Sequence, residues 1–402
     1  MNSAEYDLFD SSLEGKRLPL YKRMRAENPV YLSPQLMGFV LTRYQDVATV
    51  LRDPRMSVAE MTIFLDLLPS DARGEFDPLH KSLSMWMGHK RVEDHLRLQR
   101  LLKRYFTPQM VESMRPKAEK LTNQLLDAVA PQGEMETMAD LAYPLPARVI
   151  AELLGVPQED SKLLQHWSKE IAFVFQGFDL DNLRRSQKAV LEMTEYMRNI
   201  VKEHRLVPRQ DIISVMIAGL EDGSVASEEE LLANCILLLF AGHETTQHLI
   251  ANGMLAILRN PSQLALLREQ PELMPNAIEE IMRFDGPTQM TVRINNEPIT
   301  LGGKEIPARS MLFLINNAAN HDPEVFPDPE RFDIRRKDIR HLGFGHGAFY
   351  CMGSALARME AQVCFDALLR RFPNLRLKSE DLVKHELSPP LSRVPVSIPV
   401  LF

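Results

Sequence analysis

The feature that most constrains this fold lies in mid-chain. Ser227-Glu228-Glu229-Glu230 has the form of a capping box, a hydroxyl at the N-cap with a carboxylate three residues on. The helix it opens is expected to run to Asn260, where Pro261 stops it. That is long for a globular helix, and it is apolar on several sides, so it should cross the interior. A bilayer is not its surroundings, because the longest apolar run, Cys235 to Ala241, is far too short to span one. At 402 residues, with 45% apolar and 25% charged, the chain has material for a substantial core around it.

Helical patterns dominate the remainder. Asp94 to Phe106 alternates apolar and basic residues at helical spacing, and Thr107-Pro108 marks a new start with an N-cap and a first-turn proline. Pro146 to Leu154 reads as a helix closed by Gly155, and Leu180 to Arg205 as a longer one. Pro275 to Phe284 and Met352 to Phe372 complete the set, each bounded by a proline. Strand patterns are few: Gly38 to Thr42, Met290 to Ile294 and Met311 to Leu314. Glu60 to Trp86 has no steady period and reads as irregular with room for a short helix, a common form for a binding loop. No repeat or Gly/Ser-rich linker divides the chain. The expectation is one domain over residues 1–402, mainly α with a small β region.

Three cysteines, Cys235, Cys351 and Cys364, cannot form a disulfide framework, which points to a reducing compartment. The first residues, Met1 to Asp7, are acidic without an apolar stretch, so neither signal peptide nor membrane anchor is expected and the protein reads as cytoplasmic. A net charge of −7 argues against nucleic acid as a partner. Arg97, Arg100, Lys103 and Arg104 form a local basic run that fits a solvated helix face and a docking patch for an acidic protein equally well.

The chemistry concentrates near Cys351. The string Phe344-Gly345-His346-Gly347-Ala348-Phe349-Tyr350-Cys351-Met352-Gly353 places one cysteine at the end of a glycine-rich loop and just before a helix. The glycines permit positive φ, and a helix N-terminus stabilises a thiolate, the form that ligates metals. Mid-way along the long helix stands Ala241-Gly242-His243-Glu244-Thr245-Thr246. A glycine and threonines that bond back to the preceding turn should loosen the helix there, beside an acid and an alcohol able to pass protons. The same stretch nearly matches the zinc-protease pattern His-Glu-x-x-His, but its second histidine, His248, comes five residues after His243. That places the two about 140° apart on the helix, which excludes a shared zinc. Glu280-Ile281-Met282-Arg283 sets a carboxylate and a guanidinium three apart, and Pro329-Glu330-Arg331-Phe332 follows downstream.

Taken together and in this order, these segments resemble the cytochrome P-450 family of haem-thiolate monooxygenases, soluble bacterial type. The cysteine loop is similar to the family's Phe-Gly-x-Gly-x-(His/Arg)-x-Cys-x-Gly, and the resemblance covers nearly the whole chain. It implies a haem b between the long central helix and the cysteine loop, with Cys351 as axial thiolate and dioxygen as co-substrate. It also implies that Glu244 and Thr245 deliver protons, and that Glu280, Arg283 and Arg331 form a buried structural network. His95 and Arg293 are the implied propionate partners, with Gln99, Ala241, Gly242, Phe344, Gly345, Gly347, Phe349 and Gly353 around the cofactor. Two habitual cations are missing, since Gln99 stands four residues after His95 and Phe349 two before Cys351. Arg97, Arg100, His341 and His346 are the candidates to replace them.

A ferredoxin or flavodoxin should supply electrons, docking on the Arg97–Arg104 face with Arg358. A small lipophilic substrate, a polyketide or terpenoid by family analogy, is expected, and a monomer. The candidate pocket residues are Met85, Phe173, Met290 and Val292, within wider regions that include Met61 to Leu68. Each suits ordinary core packing as well. Two rival classes are a peroxide-driven haem enzyme, opposed by the acid–alcohol pair, and a haem sensor, opposed by the same proton path.

Overall fold

The computed structural model describes residues 6–8, 17–58, 65, 68, 70–176, 179–388 and 392–402. The chain divides into two compact units whose segments interleave along the sequence. One comprises Met1–Val58, His248–Cys351 and Arg376–Ile398, the other Ala59–Gln247, Met352–Leu375 and Pro399–Phe402. The long helix runs Glu228–Leu258 and contributes to both, changing unit after Gln247.

The first unit is organised on a five-stranded sheet. Its order is Val30–Ser33, Gly38–Leu41, Met311–Leu314, Thr291–Asn295, Met56–Ser57. All three predicted strands are here and adjacent. Gly38–Leu41 pairs parallel with Met311–Leu314, and that strand pairs antiparallel with Thr291–Asn295. All four residues of Gly38–Leu41 are buried because helices and loops cover both faces. The period of two sorts the side chains. Leu41, Leu312 and Leu314 join Val47, Val50 and Leu51 of the helix Tyr44–Arg52 in one cluster. Val40 and Phe313 join Tyr21, Met24 and Tyr31 in another. Two of these strands, Val30–Ser33 and Met56–Ser57, were not predicted.

The second unit is helical. Val92–Lys103 is followed by Pro108–Val129, whose N-cap Thr107 accepts the N–H of Met110 at 3.1 Å as predicted. Pro144–Leu154 closes on Gly155 at φ +81°, and Leu180–Leu206 and Ser354–Arg371 match expectation to within two residues. A two-strand ladder joins Glu134–Glu136 to Pro399–Leu401. The Glu60 to Trp86 segment contains the helix Asp77–Ser84, started by Pro78. Residues 60–64, 66, 67 and 69 of the predicted binding loop lie outside the described residues. Among the described residues no helix is long and apolar enough to cross a membrane.

Candidate active site

In the first unit the loop from Phe344 to Cys351 is closed by the Cys351 N–H donating to the Phe344 carbonyl at 2.9 Å. Gly345 and Gly347 adopt φ of +71° and +69°, as the sequence pattern required. Gly347 is doubly constrained, because a Cβ there would stand 2.7 Å from the Leu51 carbonyl oxygen. Cys351 is exposed, whereas Cys235 and Cys364 are fully buried. Burial pushes the Cys235 thiol up to about 12 and raises that of Cys364 as well, so both behave as inert core groups.

Arg293 projects from its strand into a buried position, 5% exposed. Its Nη1 donates to the Val292 carbonyl at 2.8 Å and its guanidinium lies 5.4 Å from the ring centre of Phe349. Among the described residues no carboxylate pairs with it, and desolvation lowers its pKa to about 10. Met290 and Val292 pack against the cluster of Tyr31, Val40 and Phe313, which is the core-packing alternative for both.

The Glu280 network is present with one correction. Arg283 is 1% exposed and grips fully buried Glu280 through two 2.7 Å hydrogen bonds. It also donates to the carbonyls of Asn320, Pro329 and Arg331. The third cation is Arg336, not Arg331. Arg336 Nε lies 3.2 and 3.3 Å from the two oxygens of Glu280, and its other nitrogens donate to the carbonyls of Pro327, Asp328 and Arg331. Arg331 contributes only its carbonyl. Its side chain is 66% exposed and faces Asp333 at 3.6 Å. Two successive turns place them: the Arg331 N–H bonds back to the carbonyl of Asp328, which has a φ of +49°, at 3.1 Å, and between the two arginines the Arg336 N–H bonds back to the Asp333 carbonyl at 3.0 Å.

Two proposed substitutes for the missing cations are committed in this unit. His341 Nε2 lies 3.1 Å from Glu279. His346 accepts the Gly347 N–H on Nδ1 at 2.8 Å and meets Arg52 at 2.9 Å through Nε2. Burial and the Arg52 charge lower its pKa.

In the second unit the long helix begins as the capping box required, with Ser227 Oγ accepting the Glu230 N–H at 3.1 Å. Residues Leu231 to Ile236 are buried throughout; beyond them an open stripe appears. Leu237, Phe240 and Glu244 are half-buried, while Ala241 and Thr245 are exposed. Thr245 Oγ1 donates to the Ala241 carbonyl at 2.8 Å, the predicted back-bond, yet the helix runs through this turn unbroken. Gly242 has a packing reason instead, since a Cβ there would sit 2.8 Å from Ile150 Cδ1 of the neighbouring helix. Desolvation alone pushes the Glu244 carboxyl up to about 7.

His95 is buried, with Nδ1 donating to the Met87 carbonyl at 2.9 Å. The Gln99 amide lies 3.3 Å from His95 Nε2, so Gln99 holds the histidine. Arg97 is withdrawn from the basic run by Glu230, at 2.8 and 2.9 Å, while Arg100, Lys103 and Arg104 are exposed. Lys90 joins the same carboxylate at 3.0 Å. Although Glu230 is desolvated, these cations and the Ala226 N–H hold its pKa down to about 2. Gly353 has open space where a Cβ would stand.

Met85 is half-buried, its carbonyl accepting from Asn234 at 2.9 Å. One face of Phe173 is covered by the Arg185 guanidinium at 3.8 Å. Sequence reasoning passed over Asn234 and Arg336, and read Glu230 only as part of the capping box. An asparagine inside the apolar run Leu231 to Leu239 was a usable signal, because a buried amide must find partners.

Comparison with known proteins fixes the class. The cytochrome P450 family model matches residues 38–398. The chain is 40% identical over 370 residues to the cytochrome P450 monooxygenase PikC of Streptomyces venezuelae, covering 89% of this chain and 84% of the relative. It is 36% identical over 351 residues to 6-deoxyerythronolide B hydroxylase of Saccharopolyspora erythraea, covering 85% and 84%. Among solved structures, P450BioI with an acyl carrier protein ligated to hexadec-9Z-enoic acid superposes with a TM-score of 0.90 at 34% identity, covering 98% of this chain and 100% of that one. The chain belongs to the cytochrome P450 family and has its mainly helical fold. Its activity is that of a haem-thiolate monooxygenase.

The residues present fit a haem. Arg293 is a buried cation with no carboxylate partner among the described residues, the complement of a propionate. In the second unit, the exposed Ala241 and Thr245 leave an open stripe on a helix otherwise sunk in core.

Proposed function

We propose that Cys351 is the axial thiolate of the haem iron, and that the enzyme hydroxylates or epoxidises a small lipophilic substrate with dioxygen and two electrons from a protein donor. The single observation that carries this is the exposed Cys351 on a loop with two left-handed glycines, in a chain of this family. A haem held there would supply the oxygen-activating chemistry, which thiolate ligation favours.

The chain's own residues do the rest. Arg293 would anchor one propionate, with the Phe349 ring beside its guanidinium. Gln99, holding His95, would present a neutral donor where relatives carry a cation. Phe344, Gly345 and Gly347 shape the loop that carries the sulfur, and on the long helix the small Ala241 would leave the open stripe free of side-chain bulk, Gly242 being taken up by its packing on Ile150. The Thr245 hydroxyl proton is engaged by the Ala241 carbonyl, so its oxygen is poised to accept from water. A Glu244 carboxyl titrating at about 7 gains and loses a proton with little cost near neutrality, which suits a relay.

A polyketide is the substrate class favoured by a relative named as a polyketide biosynthesis cytochrome P450, with a terpenoid the second choice by family analogy, and a carrier-bound acyl chain is the alternative suggested by the acyl carrier protein complex. The electron donor would be a ferredoxin or flavodoxin, docking on Arg100, Lys103 and Arg104 of a cytoplasmic monomer. Turnover under isotopically labelled dioxygen, with ferredoxin and its reductase, tests the reading. One labelled atom should enter the product and the other water; a product without label would refute it.

A further inference from the structure

We infer that Asn234 is a positioning residue for haem retention, acting through the Met87 peptide on His95. This rests on the haem-thiolate reading, with His95 and Gln99 on the propionate side, and adds the residue that sets the direction of the His95 ring. Asn234 is fully buried in the apolar run Leu231 to Leu239. An amide is costly there unless its polar atoms are paired. Its Oδ1 accepts the Met87 N–H at 2.8 Å, and its Nδ2 donates to the carbonyls of Met85 at 2.9 Å and Glu230 at 2.8 Å.

The hydrogen bonds that meet at Asn234 form a chain with one direction. The Met87 N–H points to Asn234, and at the other end of the residue the Met87 carbonyl meets His95 Nδ1 at 2.9 Å. A carbonyl carries no proton, so Nδ1 is the donor, which fixes the tautomer of the neutral imidazole. Nε2 is then an acceptor, and the Gln99 amide nitrogen, 3.3 Å away, is its donor. Met87 thus links Asn234 to the buried pair of His95 and Gln99, and in a buried chain each bond strengthens the next.

Holding the helix Val92–Lys103 in place falls to a different residue. Glu230, one turn before Asn234, takes Arg97 at 2.8 and 2.9 Å and Lys90 at 3.0 Å. Those ion pairs do not pass through Asn234, so its loss should leave the helix docked. What is lost is the anchor of the Met87 N–H. The Met87 carbonyl then no longer has a fixed place, and the His95 ring gains a freedom that holding a carboxylate must remove again. A side chain held in its binding geometry beforehand avoids that cost.

The test is a double-mutant cycle on the holoenzyme, read as the rate of haem transfer to excess apomyoglobin. Asn234→Leu should release haem about three- to tenfold faster than wild type, the worth of one hydrogen bond. Asn234→Asp keeps an acceptor for the Met87 N–H and should stay close to the wild-type rate. His95→Phe should also speed release, and in that background Asn234→Leu should add nothing, because its effect passes through the ring. Asn234→Ser takes the place of the leucine variant in the cycle should the latter not fold. The inference is overturned by an unchanged rate in either single variant, or by Asn234→Asp releasing haem as fast as Asn234→Leu. It is overturned equally by effects that multiply in the double variant, as two separate structural losses would. The reduced, carbonyl-bound spectrum of each sample, taken before transfer, reports separately on thiolate ligation.

Discussion

Replacing Arg336 with methionine should destabilise the protein by about 3 kcal/mol, whereas Arg331→Met should cost no more than about 0.5 kcal/mol. The Arg336 side chain is 10% exposed and reaches fully buried Glu280. Methionine keeps the apolar stem but deletes the charge and the donors serving three carbonyls, those of Pro327, Asp328 and Arg331. Breaking a buried pair costs about 3–5 kcal/mol. The low end applies because Glu280 keeps Arg283 and the Asp333 N–H, at 2.7 and 2.9 Å. Arg331 has only an exposed contact at 3.6 Å to lose. Urea unfolding of the two variants beside wild type measures the difference as a shift in midpoint at constant slope. Equal losses for the two variants, or a larger loss for Arg331→Met, would refute the assignment of the third cation.

Three further outcomes follow from the site. Glu244 has its folded pKa raised to about 7 by burial, so the carboxyl is protonated below that pH and ionised above it. Its unfolded counterpart ionises near 4.3, so this group lowers stability progressively from about pH 4 to 7 and no further beyond; Glu244→Gln should abolish that slope, together with an inflection near pH 7 in product formed per electron consumed. Gly242→Ala should cost about 1 kcal/mol net, overpacking against Ile150 outweighing the gain in helix propensity, and measured in an Ile150→Val background, which removes the nearer of the two crowding carbons, the same substitution should cost less. Charge reversal at Arg100 and Arg104 should raise the KM for ferredoxin several-fold at unchanged kcat, whereas Arg97→Glu should lower the unfolding midpoint, because Arg97 is spent on Glu230. An unchanged KM would remove the docking face.

Much of the site was legible because short-range chemistry fixes it. The left-handed glycines at 345 and 347, the Thr107 cap and the Ser227 capping box are local demands that residue types declare directly. The three predicted strands form because their alternating side chains serve two separate clusters. What stayed hidden depends on how the backbone turns. Arg331 matches the expected pattern in sequence, and only the fold, with a turn at Asp333 between the two arginines, shows that Arg336 is the one that reaches Glu280. Gly242 reads as a helix-loosening residue until Ile150 of another helix is seen against it. Met56–Ser57, at two residues, is too short for any periodicity.

The most direct test of the central claim is the visible spectrum of the reduced, carbonyl-bound protein, recorded for wild type and for Cys351→Ser. The account expects the red-shifted Soret band of thiolate ligation in wild type and its loss in the variant. An identical spectrum in Cys351→Ser, or a wild type without that band, would contradict it.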